Sequence, residues 1–328
     1  MSRLLVSTIP FGSIDRAPLD LLEKANIDYS INPLGHKLTE SELINLLEET
    51  EVLIAGTEPI TENVIQHAKK LRFISRVGIG LDSIDLNSAK RNGILISYTP
   101  DAPSPAIAEL TLGMMLSLLR SIHLSNQAIH EGQWQKYMGR RISELTIGII
   151  GFGRIGSQVA KCLEGFGPPR ILVNDQVHLE REKSLNEGVE WASQETILRE
   201  ADVITIHVPL NSETKDMIKT EQLLKMKKNA IVINTSRGGV INEKDLAHVL
   251  KNGHLAGAAL DVFENEPYSG ELTKLSNCLL TSHIGSMTED CRIRMELEAT
   301  EEAIRFISGQ ALLRQVPSAE YEIQERGK

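Results

Sequence analysis

Residues 145–163 read LTIGIIGFGRIGSQVAKCL. An apolar run ends in a glycine-rich turn, and the turn opens at once into an amphipathic segment. Gly151, Gly153 and Gly156 hold the spacing GxGxxG. Alone the spacing is a weak signal, but a strand before it and a helix after it restrict the chain to a parallel α/β sheet with a ligand at the turn. A second apolar run, ILVND, ends in Asp175, nineteen residues beyond Gly156.

Each part has a physical task. Gly151 permits the tight turn, Gly153 lets backbone approach a pyrophosphate, and Gly156 lets helix pack on strand. Arg154 and Ile155 open the helix, whose free N–H groups and partial positive charge suit phosphates. Asp175 can accept from both hydroxyls of an adenosine ribose. A 2′-phosphate would face that carboxylate, so the cofactor expected is NAD rather than NADP.

The rest of the chain follows the same rhythm. A first set of strands is expected at Leu4–Ile9, Ile27–Ile31, Val52–Ala55, Phe73–Val77 and Ile94–Tyr98. A second is expected at Leu145–Ile150, Ile171–Val173, Val203–Val208, Ala230–Asn234, Ala256–Leu260 and Leu279–Thr281. Periodic segments lie between them, one with a cap at Thr61 and Glu62. This alternation predicts right-handed crossovers and mainly parallel sheets. The 328 residues allow two domains. The stretch TPDAPSPA, 99–106, holds three prolines and reads as a linker. One long apolar helix is expected over 106–131, buried on most sides and in part against a second copy of the chain, which makes a homodimer. The last helix is expected over 287–308, with Ile293, Leu297, Ile304 and Ile307 on its buried stripe, and then a polar tail.

Charge and cysteine usage narrow the partners. A net charge of −9 argues against nucleic-acid binding through phosphates and against a polybasic membrane surface. The three cysteines are scattered, no His/Cys cluster has zinc spacing, and no metal site is expected. No apolar run reaches membrane-spanning length, and the N-terminus does not read as a signal peptide, so a cytoplasmic protein is expected.

Three residues of chemical interest follow later strands, where open parallel sheets bind ligands. They are Arg237 in NTSRGG, Glu266 in LDVFENEP and His283 in LLTSHIGS. With GIIGFGRIG, ADVITIHVPLNSETKDMI, NTSRGGVINEKDL, GAALDVFENEP, HIGS, VGIGLDSIDL and AELTLGMMLSLLR, the chain resembles the D-isomer-specific 2-hydroxyacid dehydrogenases, in order over nearly its whole length. That family includes 3-phosphoglycerate dehydrogenase and glyoxylate/hydroxypyruvate reductase.

The resemblance implies an NAD-dependent enzyme moving a hydride between nicotinamide and a small D-2-hydroxy or 2-oxo acid. It implies two doubly wound α/β domains: a Rossmann NAD domain, 99–286, inserted in a flavodoxin-like substrate domain, 1–98 plus 287–328, with the site in the cleft. Arg237 matches the arginine that binds the substrate carboxylate and carbonyl. A planar guanidinium suits a 2-oxo acid through two parallel charge-assisted bonds. His283 matches the acid/base and Glu266 its partner carboxylate. His207, Pro209 and Thr235 fall beside the cofactor, and Asp261 where the nicotinamide amide is held. Arg76, Val77 and Gly78, with Ile79, resemble the loop that receives the substrate carboxylate.

Two departures bear on specificity. The family often has Thr-Pro-His where this chain has Thr281-Ser282-His283. Phosphoglycerate dehydrogenases often carry an arginine after the third strand, where this chain reads Ala55-Gly56-Thr57-Glu58, and an acid there does not favour a phosphate. The sequence after residue 308 leaves no expectation of a C-terminal regulatory domain. The resemblance also covers dinucleotide-sensing co-repressors that need no turnover, which is the alternative function. Glutamate rather than glutamine beside the histidine counts against formate oxidation.

Overall fold

The structure is a computed structural model that describes residues 4–176 and 188–326. It has two compact units, Met1–Pro103 with Met287–Lys328, and Ser104–Ser286.

The first unit carries strands β1 (Leu4–Val6), β2 (Tyr29–Ile31), β3 (Val52–Ala55), β4 (Phe73–Arg76) and β5 (Leu95–Tyr98). All pairings are parallel, in the order β2-β1-β3-β4-β5, the flavodoxin-like arrangement. Helices α1 (Ala17–Lys24), α2 (Glu40–Leu47), α3 (Glu62–His67) and α4 (Leu86–Arg91) are its crossovers. Strands β1 and β3 are buried along their whole length, which explains their unbroken apolar runs, while β4, equally buried, ends in Ser75 and Arg76. Thr61 caps α3 by accepting from the Val64 N–H at 3.4 Å.

The second unit carries β6 (Thr146–Ile150), β7 (Arg170–Asn174), β8 (Val189–Trp191), β9 (Val203–Ile206), β10 (Ile231–Asn234), β11 (Gly257–Leu260) and β12 (Cys278–Leu280). Its helices are α5 (Pro103–Leu119, which begins on the last residue of the first unit), α6 (Ile122–His130), α7 (Arg154–Leu163), α8 (Gln194–Glu200), α9 (Thr220–Lys225) and α10 (Glu243–Lys251). The order is β12-β11-β10-β9-β6-β7-β8, parallel throughout, so the chain reverses direction across the sheet between β6 and β9. One apolar layer, with Ile204, Val232 and Leu246, lies on one face. Another, with Met115, Ile147, Ile149 and Ile233, lies on the other.

Three points differ from the expectations. The single helix over 106–131 is two helices, α5 and α6, bent by 64°. Ser121 takes a left-handed φ of 50°, and the Leu119 carbonyl accepts from the Arg140 N–H at 3.0 Å instead of continuing the helical ladder. Among the described residues no single helix is long and apolar enough to cross a membrane; α5 and α6 together meet the test by length and composition only. The proline stretch is not wholly linker, because Pro103 and Pro105 sit in the first turn of α5, where a missing N–H costs nothing. Strand β8 was not expected; it is three residues on the sheet edge.

The C-terminal segments also differ. Helix α11 (Glu289–Ile307) buries Cys291, Met295, Glu298, Ala299, Glu302 and Ala303, while Ile293, Leu297, Ile304 and Ile307 are only half-buried. Two of its buried acids accept from backbone: Glu302 from the N–H groups of Leu313 and Arg314, and Glu296 from that of Gly12. The polar tail forms α12 (Ser318–Arg326), whose Gln324 bridges the Leu86 N–H and the Ile84 carbonyl, both at 2.8 Å.

Candidate active site

The glycine-rich turn lies at the end of β6, where the second unit's sheet switches direction. A Cβ at Gly151 would sit 2.5 Å from the His207 carbonyl, so the turn runs directly under the end of β9. A Cβ at Gly156 would collide with the Gly151 carbonyl oxygen, so helix α7 packs on the turn. Gly153 faces open space and is the N-cap of α7, with Arg154 exposed as its first residue and Ile155 half-buried behind it. The α7 N-terminus therefore presents N–H groups where no side chain intrudes.

Asp175 follows β7 and accepts from the Phe152 N–H at 2.8 Å, which ties the acid to the glycine turn. The next residue, Gln176, donates to Glu213 at 2.7 Å, adding a second acid on that rim. His207 bonds through Nε2 to the Thr205 hydroxyl at 2.9 Å, while its Nδ1 is sealed from solvent and has no partner among the described residues. Burial pushes the His207 imidazole down to about 3, so it is neutral. An orphaned buried nitrogen over a glycine turn with room above it fits a dinucleotide that supplies the missing partner. The Pro209 carbonyl accepts from the Thr214 hydroxyl at 2.6 Å and shapes the loop after β9.

Three neighbouring strands, β10, β11 and β12, carry the remaining residues at their carboxyl ends. After β10, Thr235 shares a 2.9 Å hydroxyl bond with Thr111 of α5, and the half-buried Arg237 donates from Nη1 to the Ser236 carbonyl at 2.7 Å. Asn234 secures this turn by donating to the Arg237 carbonyl at 2.8 Å. A Cβ at Gly238 would collide with the backbone of Phe263, so the loop after β10 touches the loop after β11.

That second loop carries Glu266. Its Oε1 accepts from the Phe263 N–H at 3.0 Å, and both its oxygens face His283 Nδ1, at 3.1 and 2.9 Å. A carboxylate only accepts, so Nδ1 carries the hydrogen and Nε2 is left for a ligand. The His283 side chain is 46% and that of Glu266 39% exposed, so the pair is open to solvent. Asp261, by contrast, is 1% exposed and binds the His283 loop through both carboxylate oxygens.

Within the second unit, then, Arg237, Glu266 and His283 stand on touching loops of adjacent strands, and the glycine turn, Asp175 and His207 cluster at the switch point. Arg76, the last residue of β4, and Val77 and Gly78, which follow it, lie in the first unit. There the Arg76 Nε donates to the Gly80 carbonyl at 3.0 Å, and the Gly78 N–H to the Thr99 hydroxyl at 2.7 Å. Sequence reasoning did not single out Thr205, Gly238, Thr281 or Gly285. The local signals were a hydroxyl two residues before each of His207 and His283, and glycines one residue after Arg237 and two after His283.

Residues 112–285 match the family D-isomer specific 2-hydroxyacid dehydrogenase, NAD binding domain. A hydroxypyruvate reductase of Thermotoga maritima is 37% identical over 82% of this chain and 88% of its own length. A D-3-phosphoglycerate dehydrogenase of Synechocystis is 34% identical over 92% of this chain, and the chain spans about half, 53%, of that relative. In fold, a D-lactate dehydrogenase of Aquifex aeolicus complexed with NAD and lactic acid superposes with a TM-score of 0.81, 28% identity, 93% of this chain and 96% of that one covered. The chain belongs to the D-isomer-specific 2-hydroxyacid dehydrogenase family and carries its NAD-binding domain.

Proposed function

We propose that this chain is an NAD-dependent dehydrogenase interconverting a small D-2-hydroxy acid and its 2-oxo acid. The observation that carries the reading is the Glu266–His283 pair, held beside the Arg237 loop in an NAD-binding domain. Gly151, Gly153, Arg154, Ile155 and Gly156 would hold the pyrophosphate and Asp175 the adenosine ribose. His207, Pro209, Thr235 and Asp261 would line the nicotinamide half. Bound NADH supplies a hydride to the substrate carbon.

The chain's own residues do the remaining work. Arg237 pairs its fork with the substrate carboxylate and carbonyl oxygen, fixing which face of the ketone is presented. Glu266 orients the His283 ring through Nδ1 and favours its protonated form. His283 Nε2 gives its proton to the carbonyl oxygen as the alkoxide forms, and takes it back in the oxidation. The first unit is proposed as the substrate domain, with 1–98 and 287–328 as its bounds and the loop of Arg76, Val77 and Gly78 on its substrate side; the Val77 and Gly78 N–H groups donate to the Ala55 carbonyl and the Thr99 hydroxyl, so receiving a carboxylate there requires those bonds to be exchanged.

Loop chemistry in that unit supports an unphosphorylated substrate. Glu58, after β3, is 2% exposed and accepts from the Gly56 N–H and the Ser7 hydroxyl, so a fixed carboxylate occupies the place where phosphate recognition would want a cation. Glyoxylate and hydroxypyruvate are therefore the proposed class, ahead of 3-phosphohydroxypyruvate. Three free cysteines support a cytoplasmic location. A homodimer is proposed through the α5–α6 region. Most of α5 is already packed in its own unit, so the support lies in exposed Ile122, Ile129, Trp134 and Met138.

The test is loss of NADH absorbance with glyoxylate, hydroxypyruvate, 3-phosphohydroxypyruvate, pyruvate and a branched 2-oxo acid. Turnover of any of them separates this reading from a dinucleotide sensor without turnover. Binding of NADH with no turnover of any would refute it. Light scattering after size exclusion reads the dimer.

A further inference from the structure

We propose that Asp261 and Thr281 form a clamp that positions His283, a role distinct from any contact Asp261 makes with nicotinamide. It rests on the reading of His283 as the acid/base. The loop after β12 has nothing rigid in its own sequence: it runs Thr281-Ser282-His283-Ile284-Gly285 without a proline. Yet His283 holds a φ of 55°, in the left-handed region that non-glycine residues seldom use. Such a conformation persists only where its surroundings fix it.

Asp261 supplies the fixing from one buried residue. Its Oδ1 accepts from the Thr281 hydroxyl at 2.6 Å and from the Ile284 N–H at 2.8 Å. Its Oδ2 accepts from the Gly285 N–H at 2.8 Å. Its backbone carbonyl accepts from the His283 N–H at 2.9 Å. Donors on both sides of the histidine thus converge on one side chain. Gly285 belongs to the arrangement, because a Cβ there would come within 3.1 Å of Oδ2.

Asp261 is anchored in turn, its own N–H donating to the Asn234 carbonyl of β10 at 3.0 Å. The clamp therefore references His283 to β10, whose following loop carries Arg237. Three charge-assisted donors also satisfy a carboxylate that could not otherwise stay buried. Of the members, Thr281 is the one whose contribution can be removed without touching a group proposed to meet cofactor. Its hydroxyl does nothing else among the described residues but hold Asp261.

The test compares Thr281→Val, which keeps the shape and loses the hydroxyl, with Thr281→Ser, which keeps the hydroxyl. Thr281→Val is expected to lower kcat about tenfold and raise the solvent isotope effect on kcat, with the KM for the 2-oxo acid and the Kd for NADH within about twofold. Thr281→Ser is expected to restore kcat. Amide exchange at Ile284 and Gly285 should quicken about tenfold in Thr281→Val, a readout that needs no turnover. Unchanged kcat and unchanged exchange would overturn the clamp, as would equal losses in kcat, NADH affinity and melting temperature. Failure of the parent reading shows separately, in a wild-type chain that reduces no 2-oxo acid. If Thr281→Val folds poorly, Thr281→Ala removes the same hydroxyl without adding bulk to the loop.

Discussion

Both carboxylate oxygens of Glu266 lie within 3.1 Å of His283 Nδ1, and one of them also accepts from the Phe263 N–H. The acid is thus fixed before it orients the ring. General acid–base catalysis contributes roughly 10²–10⁴-fold. His283→Asn should lower kcat by about that factor, while NADH still binds in a fluorescence titration. Glu266→Gln keeps an acceptor but no charge, and a smaller loss, roughly tenfold, is expected from steady-state kinetics. A His283→Asn enzyme with near wild-type kcat would remove the residue from the mechanism.

The backbone of Arg237 is held by its own turn: Asn234 donates to its carbonyl and Gly238 lets the loop press on Phe263. Arg237→Lys retains charge but not the planar fork. Hydrogen bonds to charged groups contribute about 1.5–3 kcal/mol each. Losing bidentate geometry should therefore cut kcat/KM by roughly 10- to 10²-fold, in both KM and kcat. NAD affinity should be nearly unchanged, and an Arg237→Lys variant with unaltered kcat/KM would refute carboxylate anchoring.

The Asp175 carboxylate stands at the end of β7, tied to the Phe152 N–H, and the Gln176–Glu213 bond adds a second acid nearby. Asp175→Ala should narrow the NAD over NADP preference, measured as the ratio of kcat/KM for the two cofactors. An unchanged ratio would place the selection on other residues.

What could be read in the chain before folding was whatever the backbone requires of a residue type. Gly151 and Gly156 are legible because only glycine fits under the end of β9 and where helix α7 packs on the turn. The buried parallel strands are legible because both faces demand apolar side chains. The break between α5 and α6 was not, since it depends on Arg140 reaching back to the Leu119 carbonyl twenty-one residues away. The inner face of α11 was misread for a related reason. Glu296 and Glu302 can be buried because Gly12, Leu313 and Arg314 bring N–H groups to them from outside the helix and Arg292 and Arg305 bring charge from within it. In the site, Arg237, Glu266 and His283 were visible as chemistry, whereas the Asp261–Thr281 contact exists only after β11 and β12 are aligned.

His207 gives the fold a defined acid response. Its imidazole is pushed down to about 3 by burial, whereas an unfolded chain titrates near the ordinary value of about 6.5. Between those values the unfolded chain binds a proton that the folded chain refuses. Stability from this residue is therefore complete above about pH 6.5 and falls as pH drops toward 3, by at most about 1.4 kcal/mol per pH unit. His207→Gln should flatten that slope by close to one proton in urea unfolding curves taken from pH 4 to 7. Parallel curves for the two proteins would show that the imidazole ionises without penalty.

Gly238 joins two parts of the site mechanically. Any Cβ there would occupy the space of the Phe263 backbone, three residues before Glu266. Gly238→Ala can fold only by pushing the two loops apart, a cost of about 1–3 kcal/mol for overpacking. The same displacement moves Glu266, and so His283, away from Arg237. The variant should lose melting temperature and kcat together, and the kcat loss should persist at temperatures where circular dichroism shows it fully folded. A folded Gly238→Ala enzyme with wild-type kcat would mean that the contact stabilises the sheet edge without setting the spacing of the three side chains.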